Sequence, residues 1–187
     1  MSNHNKLIIF SGPSGVGKGS IIKKLFLIKE LNLSFSISAT TRKKRNSEID
    51  QKDYYFISKE KFKSLIKQNK FLEYAIYEKN YYGTLISEIE SKFLKNKNIV
   101  LDIDYRGKLQ IDSSKFPQLS FFILPTKIND LSSRLLKRNS ESKNEIKNRL
   151  KAGKKELEFK NKYQFIIVND SIEETVLKIK KILLKNL

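Results

Sequence analysis

The sequence contains no cysteine and one histidine, and these absences limit the chemistry available to the protein. Disulfide frameworks, cysteine nucleophiles, zinc fingers and sites that need several imidazoles are excluded. Any reaction must therefore use carboxylates, hydroxyl groups, lysine, arginine or the backbone.

Glycine and proline are also scarce, with 7 Gly and 3 Pro in 187 residues and no low-complexity tract. This composition excludes collagen, coiled-coil and disordered chains. The length allows one medium domain, or one domain with a small insertion, but not two large domains. Residues 1–6 are polar, and the apolar run that follows is too short for a signal sequence or a membrane span. We therefore predict a cytoplasmic protein without a membrane partner.

Acidic residues are the minority charge: 20 Asp and Glu stand against 38 Lys and Arg, a net charge of +18. This balance suits a nucleic acid, an anionic membrane or phosphorylated small molecules, and it also fits a compositional preference for surface lysine. A chain that uses lysine by default keeps arginine where a planar, bidentate donor is needed. The arginines are Arg42, Arg45, Arg106, Arg134, Arg138 and Arg149.

The sequence has no long hydrophobic span, but it contains short, uniformly apolar runs that are typical of strands buried in a parallel sheet. They cover 7–10, 99–103, 119–124 and 165–168. Helical patterns at 131–137 and 172–184 indicate an α/β fold. Residues 38–89 are instead rich in tyrosine and turns, which predicts a small mixed α/β insertion with a helix near 59–68.

A second interruption surrounds Arg138 to Arg149, where a capping box at 142–145 opens a strongly charged helix. A mobile lid and an ordinary surface helical hairpin both fit this pattern.

The segment Gly12-Pro13-Ser14-Gly15-Val16-Gly17-Lys18 matches a phosphate-binding loop and lies between a predicted strand and a predicted helix. Its glycines let successive N–H groups surround an anion, the helix N-terminus adds positive charge, and Lys18 reaches the β and γ phosphates. This context predicts a nucleoside triphosphate site.

The residue after Lys18 in such loops is usually the Ser or Thr that contacts Mg²⁺, but here it is Gly19, followed by Ser20. Either Ser20 substitutes, or the metal is held through phosphates, water and a carboxylate elsewhere. Asp102 and Asp104, at the end of a predicted strand, are the candidates. Each of them could equally cap the following turn.

Further motifs, taken with the loop, resemble guanylate kinase over nearly the whole chain. They are Ser38-Ala39-Thr40-Thr41-Arg42, Arg45, Glu48, Asp53-Tyr54-Tyr55-Phe56, Phe71-Leu72-Glu73, Asn80-Tyr81-Tyr82-Gly83-Thr84, Asp102-Ile103-Asp104, Ile123-Leu124-Pro125, Arg134, Arg138, Arg149 and Val168-Asn169-Asp170.

The resemblance implies a parallel sheet core flanked by helices, formed by 1–37 and 90–187. It also implies a GMP-binding insertion at 38–89 and a helical lid near 137–154. The implied reaction is transfer of the γ-phosphoryl group of ATP to GMP, and also to dGMP, with Mg²⁺. We expect a monomer or weak homo-oligomer without a specific nucleic-acid partner.

Residue roles follow from the same resemblance. It implies ATP binding by Gly12, Pro13, Ser14, Gly15, Val16, Gly17, Lys18, Gly19, Ser20 and Arg134. It implies GMP binding by Ser38, Arg42, Arg45, Glu48, Tyr54, Glu73, Tyr82, Thr84, Asp102 and Asp104. It implies catalytic roles for Lys18, Arg42, Arg138 and Arg149. Of the metal-binding candidates that the loop and the strand end offer, we select Ser20 and Asp102.

The chemistry of two groups agrees with these roles. Arg42 and Arg45 lie on one basic turn, with the hydroxyls of Tyr54 and Tyr82 in the same insertion, and this set suits a terminal phosphate monoester. A carboxylate such as Glu73 can accept from both donors on the pairing edge of guanine, whereas adenine presents an acceptor there.

Three other hypotheses remain at this point. A scaffold with this fold could bind phosphorylated peptides, the charge could serve nucleic-acid binding, or the acceptor could be another monophosphate such as AMP. The intact loop opposes the first hypothesis, the spread of lysines over the whole chain opposes the second, and Glu73 opposes the third.

Overall fold

The computed structural model of the protein describes residues 5–77, 79–127 and 153–187, which contain nine strands and five complete α-helices. The strands are β1 (Leu7–Ser11), β2 (Leu33–Phe35), β3 (Ala39–Thr40), β4 (Tyr55–Phe56), β5 (Phe71–Tyr77), β6 (Asn80–Leu85), β7 (Asn98–Asp102), β8 (Gln118–Pro125) and β9 (Phe165–Asn169). The helices are α1 (Lys18–Leu25), α2 (Lys59–Lys67), α3 (Ile86–Phe93), α4 (Tyr105–Asp112) and α5 (Ile172–Asn186). Residues 153–158 are also helical.

The main sheet consists of five parallel strands in the order β2-β7-β1-β8-β9. Its central strand, β1, is buried along its whole length because helices cover both faces of the sheet. Ile8 and Phe10 pack with α1 and α5 on one face, and Leu7 and Ile9 pack with α3 and α4 on the other. This two-sided burial explains the apolar runs of β1, β7 and β8, whereas Ile166 and Val168 of the edge strand β9 are exposed.

A second sheet, in the order β4-β3-β6-β5, lies within the predicted insertion. Its strand β3 pairs with β4 in parallel and with β6 in antiparallel orientation, and β5 and β6 form an antiparallel hairpin. Phe62 of α2 is fully buried and stacks on Phe71, 4.2 Å between ring centroids. The insertion thus has a small aromatic core of its own.

The observed elements agree closely with the predicted ones, and the α/β fold class is confirmed. Strands predicted at 7–10, 99–103, 119–124 and 165–168 are each present within one residue at either end. All four strands of the second sheet lie inside 38–89, whereas α3 starts in this range but packs on the main sheet through Ile89. The helix predicted at 131–137 and most of the lid predicted at 137–154 lie outside the described residues.

The carboxyl ends of the parallel strands β1 and β7 lie at the edge of the main sheet that meets the second sheet. Ligands of open α/β sheets bind outside these strand ends, so the fold directs attention to the cleft between the two sheets. In the described ranges, no helix is long and apolar enough to cross a membrane.

Candidate active site

The loop between β1 and α1 is shaped by glycines that other residues could not replace. Gly12 has φ +138°, and a Cβ atom there would lie 2.3 Å from the carbonyl oxygen of Ile123. Gly17 has φ +100°, and its Cβ would lie 2.7 Å from Asn169 Nδ2. Among the described residues no side chain caps the start of helix α1, and the first turn of this helix contains no acidic residue. The N–H groups of Lys18 and Gly19, at its start, are therefore available to an anion, whereas Ser20 N–H donates to the carbonyl oxygen of Gly17 at 3.1 Å.

Asn169, at the end of β9, is hydrogen-bonded to this loop. Its side-chain Nδ2 donates to the carbonyl oxygen of Val16 at 2.8 Å, and its Oδ1 accepts from Thr175 Oγ1 at 3.0 Å. Asn169 is 2% exposed, so both bonds are shielded from water and the loop is held in one shape. The sequence places Asn169 in a recognisable motif but does not predict this contact.

Lys18 lies at the entrance of α1 and faces the end of β7. Its Nζ donates to the carbonyl oxygen of Gly12 at 2.5 Å and lies 3.9 Å from Asp102 Oδ1. Desolvation by the surrounding protein raises the pKa of Asp102, and Lys18 lowers it. Because the Asp102 side chain is 43% exposed, water weakens both effects. The cation and the carboxylate thus sit together at the open side of the loop.

Asp104 has a different environment from Asp102. It caps α4, accepting from the backbone N–H groups of Arg106 at 2.9 Å and Gly107 at 3.2 Å. The Arg106 guanidinium also donates to Asp104 at 2.8 Å from Nε. Of the two aspartates that the sequence leaves open, Asp104 is the helix cap and Asp102 is the one that faces the loop lysine.

A cleft of about 270 Å³ lies between the two sheets, and it brings together six of the predicted binding residues. These are Ser38, Tyr54, Glu73, Tyr82, Asp102 and Asp104. An adjoining cavity of about 350 Å³ shares Ser38, Tyr54 and Asp102 with the first and is also lined by Thr84. Residues of β5, β6 and β7, together with Ser38 just before β3 and Tyr54 just before β4, therefore converge on one site.

Glu73 is the most buried acid in this cleft, with 4% of its surface exposed. It lies opposite Thr84 in the β5–β6 register, and the Thr84 hydroxyl donates to its Oε1 at 2.7 Å. Burial raises the pKa of Glu73 to about 7, the Thr84 bond lowers it, and Asp104 raises it further. A Cβ atom on Gly107 would lie 2.7 Å from Glu73 Oε2. Gly107 therefore lets α4 close over this carboxyl group.

Arg42 and Glu48 form a bidentate ion pair, 2.7 and 3.0 Å between the guanidinium nitrogens and the carboxylate oxygens. Hydrogen bonds from the Arg42 side chain and the Arg45 backbone hold the pKa of Glu48 at about 2. The guanidinium lies 5.5 Å from the Tyr54 ring centroid, and Tyr54 lies edge-on to Tyr82. Glu48 thus orients Arg42 toward the tyrosines, and Arg45 remains exposed beside them.

Glu156, in the helical residues 153–158, is an acid that the sequence analysis does not identify. Its Oε2 is buried and has no hydrogen-bond partner among the described residues. Burial raises its pKa to about 7, opposed by Lys18 and reinforced by Asp104. Gly153 packs this helix against Pro13 of the loop. The sequence offers no signal that separates Glu156 from the exposed Glu158.

Arg134, Arg138 and Arg149 lie outside the described residues, so their predicted roles remain predictions. Gly19 and Ser20 are exposed in the first turn of α1. Within the parts of the chain that are described, no three His, Cys, Asp or Glu side chains are placed to hold a metal ion by themselves.

Comparison with known proteins gives one consistent result. The family model described as guanylate kinase matches residues 4–186. The guanylate kinase of Mycoplasmoides gallisepticum is 46% identical over 99% of this chain and 95% of its own length, and that of Mycoplasma mobile is 44% identical over 97% and 93%. The crystal structure of guanylate kinase from Anaplasma phagocytophilum superposes with a TM-score of 0.75 at 28% identity, covering 100% of this chain and 89% of its own. With the family model matching nearly its whole length and relatives at 44–46% identity, the chain belongs to the guanylate kinase family.

Proposed function

We propose that this protein transfers the γ-phosphoryl group of ATP to GMP, giving ADP and GDP. The observation that carries the proposal is the buried Glu73 carboxylate, which shares one cleft with Asp102, the neighbour of the loop lysine. A phosphate loop alone fits many nucleotide-binding proteins, and a buried carboxylate in the neighbouring cleft adds a group that can accept from both donors on the pairing edge of guanine. The 46% identity to a guanylate kinase over 99% of the chain supports the same reaction.

The donor site is assigned to the loop 12–18, Gly19 and Ser20, which would surround the phosphates of ATP. Lys18 Nζ contacts the loop carbonyl oxygen of Gly12 and lies near Asp102. Its ammonium group is thus placed to bind the β and γ phosphates. We assign Arg134 to ATP, and Arg138 and Arg149 to the transferred phosphoryl group, on the family resemblance.

The acceptor site is assigned to the cleft itself. Glu73 would accept from guanine N1–H and the 2-amino group, while Thr84 fixes one of its oxygens at 2.7 Å. Arg42, held by Glu48, would bind the GMP phosphate with Arg45 and the hydroxyls of Ser38, Tyr54 and Tyr82. None of these contacts uses the ribose 2′-hydroxyl group, so we also propose dGMP as an acceptor.

The chemistry needs cations and positioning more than it needs a base. A phosphate oxygen of GMP forms a bond to the γ-phosphorus while the bond to the β-phosphate oxygen breaks, and ADP leaves with that electron pair. Lys18 and Arg42 would neutralise charge on the transferred group and on the attacking phosphate. Enclosure of the cleft would keep water from accepting the phosphoryl group.

Mg²⁺ fits the residues at the loop. Hydroxyl and carboxylate oxygens are its preferred ligands, and it usually retains water and substrate phosphates in its shell. Ser20, in the first turn of α1, and Asp102, 3.9 Å from Lys18, are the protein groups that would hold it. When bound, it supplies charge neutralisation to the ATP phosphates.

The proposal is tested by ADP release from ATP and Mg²⁺ with GMP, dGMP, AMP, CMP and UMP as separate acceptors. We expect turnover with GMP and dGMP and at least a hundredfold lower kcat/KM with the others, since a mismatched base leaves Glu73 unpaired. GMP binding without turnover would contradict the enzyme assignment and favour the scaffold hypothesis.

Gly19→Ser should strengthen the metal site. A Cβ atom at Gly19 meets nothing within 4 Å, and serine is a better helix former than glycine in α1 by about 0.5 kcal/mol. We expect a KM for MgATP lower by about threefold and a slightly higher Tm. Both are measured, the first by steady-state kinetics and the second by thermal unfolding without ligand.

Gly19→Ala is the matched control, because it adds the helix stability without the hydroxyl group. A KM for MgATP that falls equally in Gly19→Ala would rule out the metal contact. Ser20→Ala completes the set: if Ser20 is the present ligand, its loss raises this KM and Gly19→Ser in the same chain lowers it again.

A further inference from the structure

Glu88 of α3 is a buried carboxylate that none of the roles above uses. It is 8% exposed, and both of its oxygens are engaged. Its Oε1 accepts from the backbone N–H of Ile37 at 3.0 Å and lies 3.0 Å from Lys92 Nζ, and its Oε2 accepts from the Tyr55 hydroxyl at 3.0 Å. A buried charge with three partners is fixed in place, and removing it would leave polar groups unsatisfied.

The two hydrogen-bond donors of Glu88 are sequence neighbours of acceptor-site residues. Ile37 precedes Ser38, and Tyr55 follows Tyr54. The two segments are also bonded to each other, since Tyr55 N–H donates to the carbonyl oxygen of Ser38 at 2.9 Å. Fixing Ile37 and Tyr55 therefore fixes the backbone that carries two hydroxyls of the proposed GMP phosphate site.

Strand geometry separates the roles of the two tyrosines. Adjacent side chains of an extended chain point to opposite faces, so Tyr54 turns to Arg42 and Tyr82 while Tyr55 turns to Glu88. Tyr55 is thus held by Glu88, and the adjacent Tyr54 lines the cleft.

Glu88 also connects the two sheets. The next residue, Ile89, is fully buried against the main sheet, so α3 is packed on that sheet. Ile37 lies where the chain leaves the core after β2, and Tyr55 lies in β4 of the second sheet. One carboxylate of a helix packed on the main sheet therefore bonds both the segment that leaves that sheet and a strand of the second sheet.

We propose that Glu88 is a positioning residue for the GMP phosphate site, acting through Ile37 and Tyr55 on Ser38 and Tyr54. The inference rests on the proposed function of that site. It predicts a selective effect: the binding of GMP depends on Glu88, and the binding of ATP at the loop does not.

The test compares Glu88→Ala with Glu88→Gln and Tyr55→Phe in steady-state kinetics. We expect Glu88→Ala to raise KM for GMP about tenfold and Tyr55→Phe about threefold, with KM for ATP within twofold of the parent. Glu88→Gln should restore most of the loss, because its amide oxygen can accept from Ile37 N–H and its amide nitrogen can donate to the Tyr55 oxygen. Tyr55→Phe keeps the proposal testable if Glu88→Ala does not fold.

Glu90→Ala is the control on the same helix, since Glu90 is exposed, and it should leave both KM values unchanged. An unchanged KM for GMP in Glu88→Ala and Tyr55→Phe, with only a lower Tm, would reduce Glu88 to a structural role. Parallel increases in both KM values, or no rescue by glutamine, would also overturn the proposal.

Ser38→Ala and Tyr54→Phe separate this inference from the function on which it rests. If neither changes KM for GMP, the phosphate site itself is misassigned. If both raise it and Glu88→Ala does not, the site stands and the positioning role of Glu88 fails.

Discussion

Replacement of Lys18 by methionine should reduce kcat by about a thousandfold or more while the protein stays folded. The side chain keeps its length and loses the charge that lies 3.9 Å from Asp102 and above the loop carbonyl of Gly12. A cation placed on a phosphoryl group during transfer contributes about 10³-fold or more to such reactions. Steady-state kinetics at saturating ATP and GMP measures the effect.

Lys23→Met is the matched control, because Lys23 lies on the same helix but is exposed; its kcat should equal that of the parent. Calorimetric titration with GMP should give the same affinity in Lys18→Met as in the parent, since the acceptor cleft is formed by other residues. A Lys18→Met enzyme with near-normal turnover would remove the loop from the reaction.

Replacement of Glu73 by glutamine should lower kcat/KM for GMP by about a hundredfold and reduce the preference for GMP over AMP. The Thr84 hydroxyl, 2.7 Å from Oε1, can hold the amide oxygen and leave the NH₂ group facing the two donors of guanine. Two opposed donors in a buried site lose their bond and their solvation, a cost of about 1–3 kcal/mol. The measurement is kcat/KM with each acceptor, with Glu60→Gln, exposed on α2, as the control.

The same substitution should stabilise the free protein at pH 8. Burial raises the pKa of Glu73 to about 7, so the stability linked to its protonated form is complete below pH 4.5 and is lost as pH rises through 7. Glutamine avoids this loss, worth on the order of 1–3 kcal/mol, and its advantage should shrink between pH 8 and pH 5. Thermal unfolding of both proteins at pH 8 and pH 5 measures this difference in stability.

Loss of selectivity in a more stable protein would rule out misfolding as the cause. An equal Tm difference at both pH values would contradict the burial of the Glu73 charge.

The sequence predicts four of the five strands of the main sheet because their residues are apolar throughout, as in β1, which is buried on both faces. It does not predict β2, which is three residues long and only partly buried, and Ile166 and Val168 of the predicted strand β9 are exposed at the edge of the sheet. It predicts the loop because Gly12 and Gly17 are required by local backbone geometry. Both features are encoded within a few consecutive residues, so the chain alone reveals them.

Contacts between distant segments are not encoded in this way. A glutamate on a short strand is usually solvated, and Glu73 is buried because α4 approaches it at Gly107, 34 positions later. Glu88 and Glu156 resemble any other acid of a charged helix, and only the packing of α3 and of residues 153–158 gives them partners or removes water from them. Glu48 is chemically recognisable, but its pairing with Arg42 depends on the path of an irregular turn.

The bond from Asn169 to Val16 joins positions that are 153 residues apart. During synthesis the phosphate loop leaves the ribosome early, but its lower support is made by β9, which is among the last strands to be translated. Strand β9 must also be buried by α5 before Thr175 can orient the Asn169 amide. The nascent chain therefore gains this support of its phosphate loop only after β9 and α5 have joined the sheet.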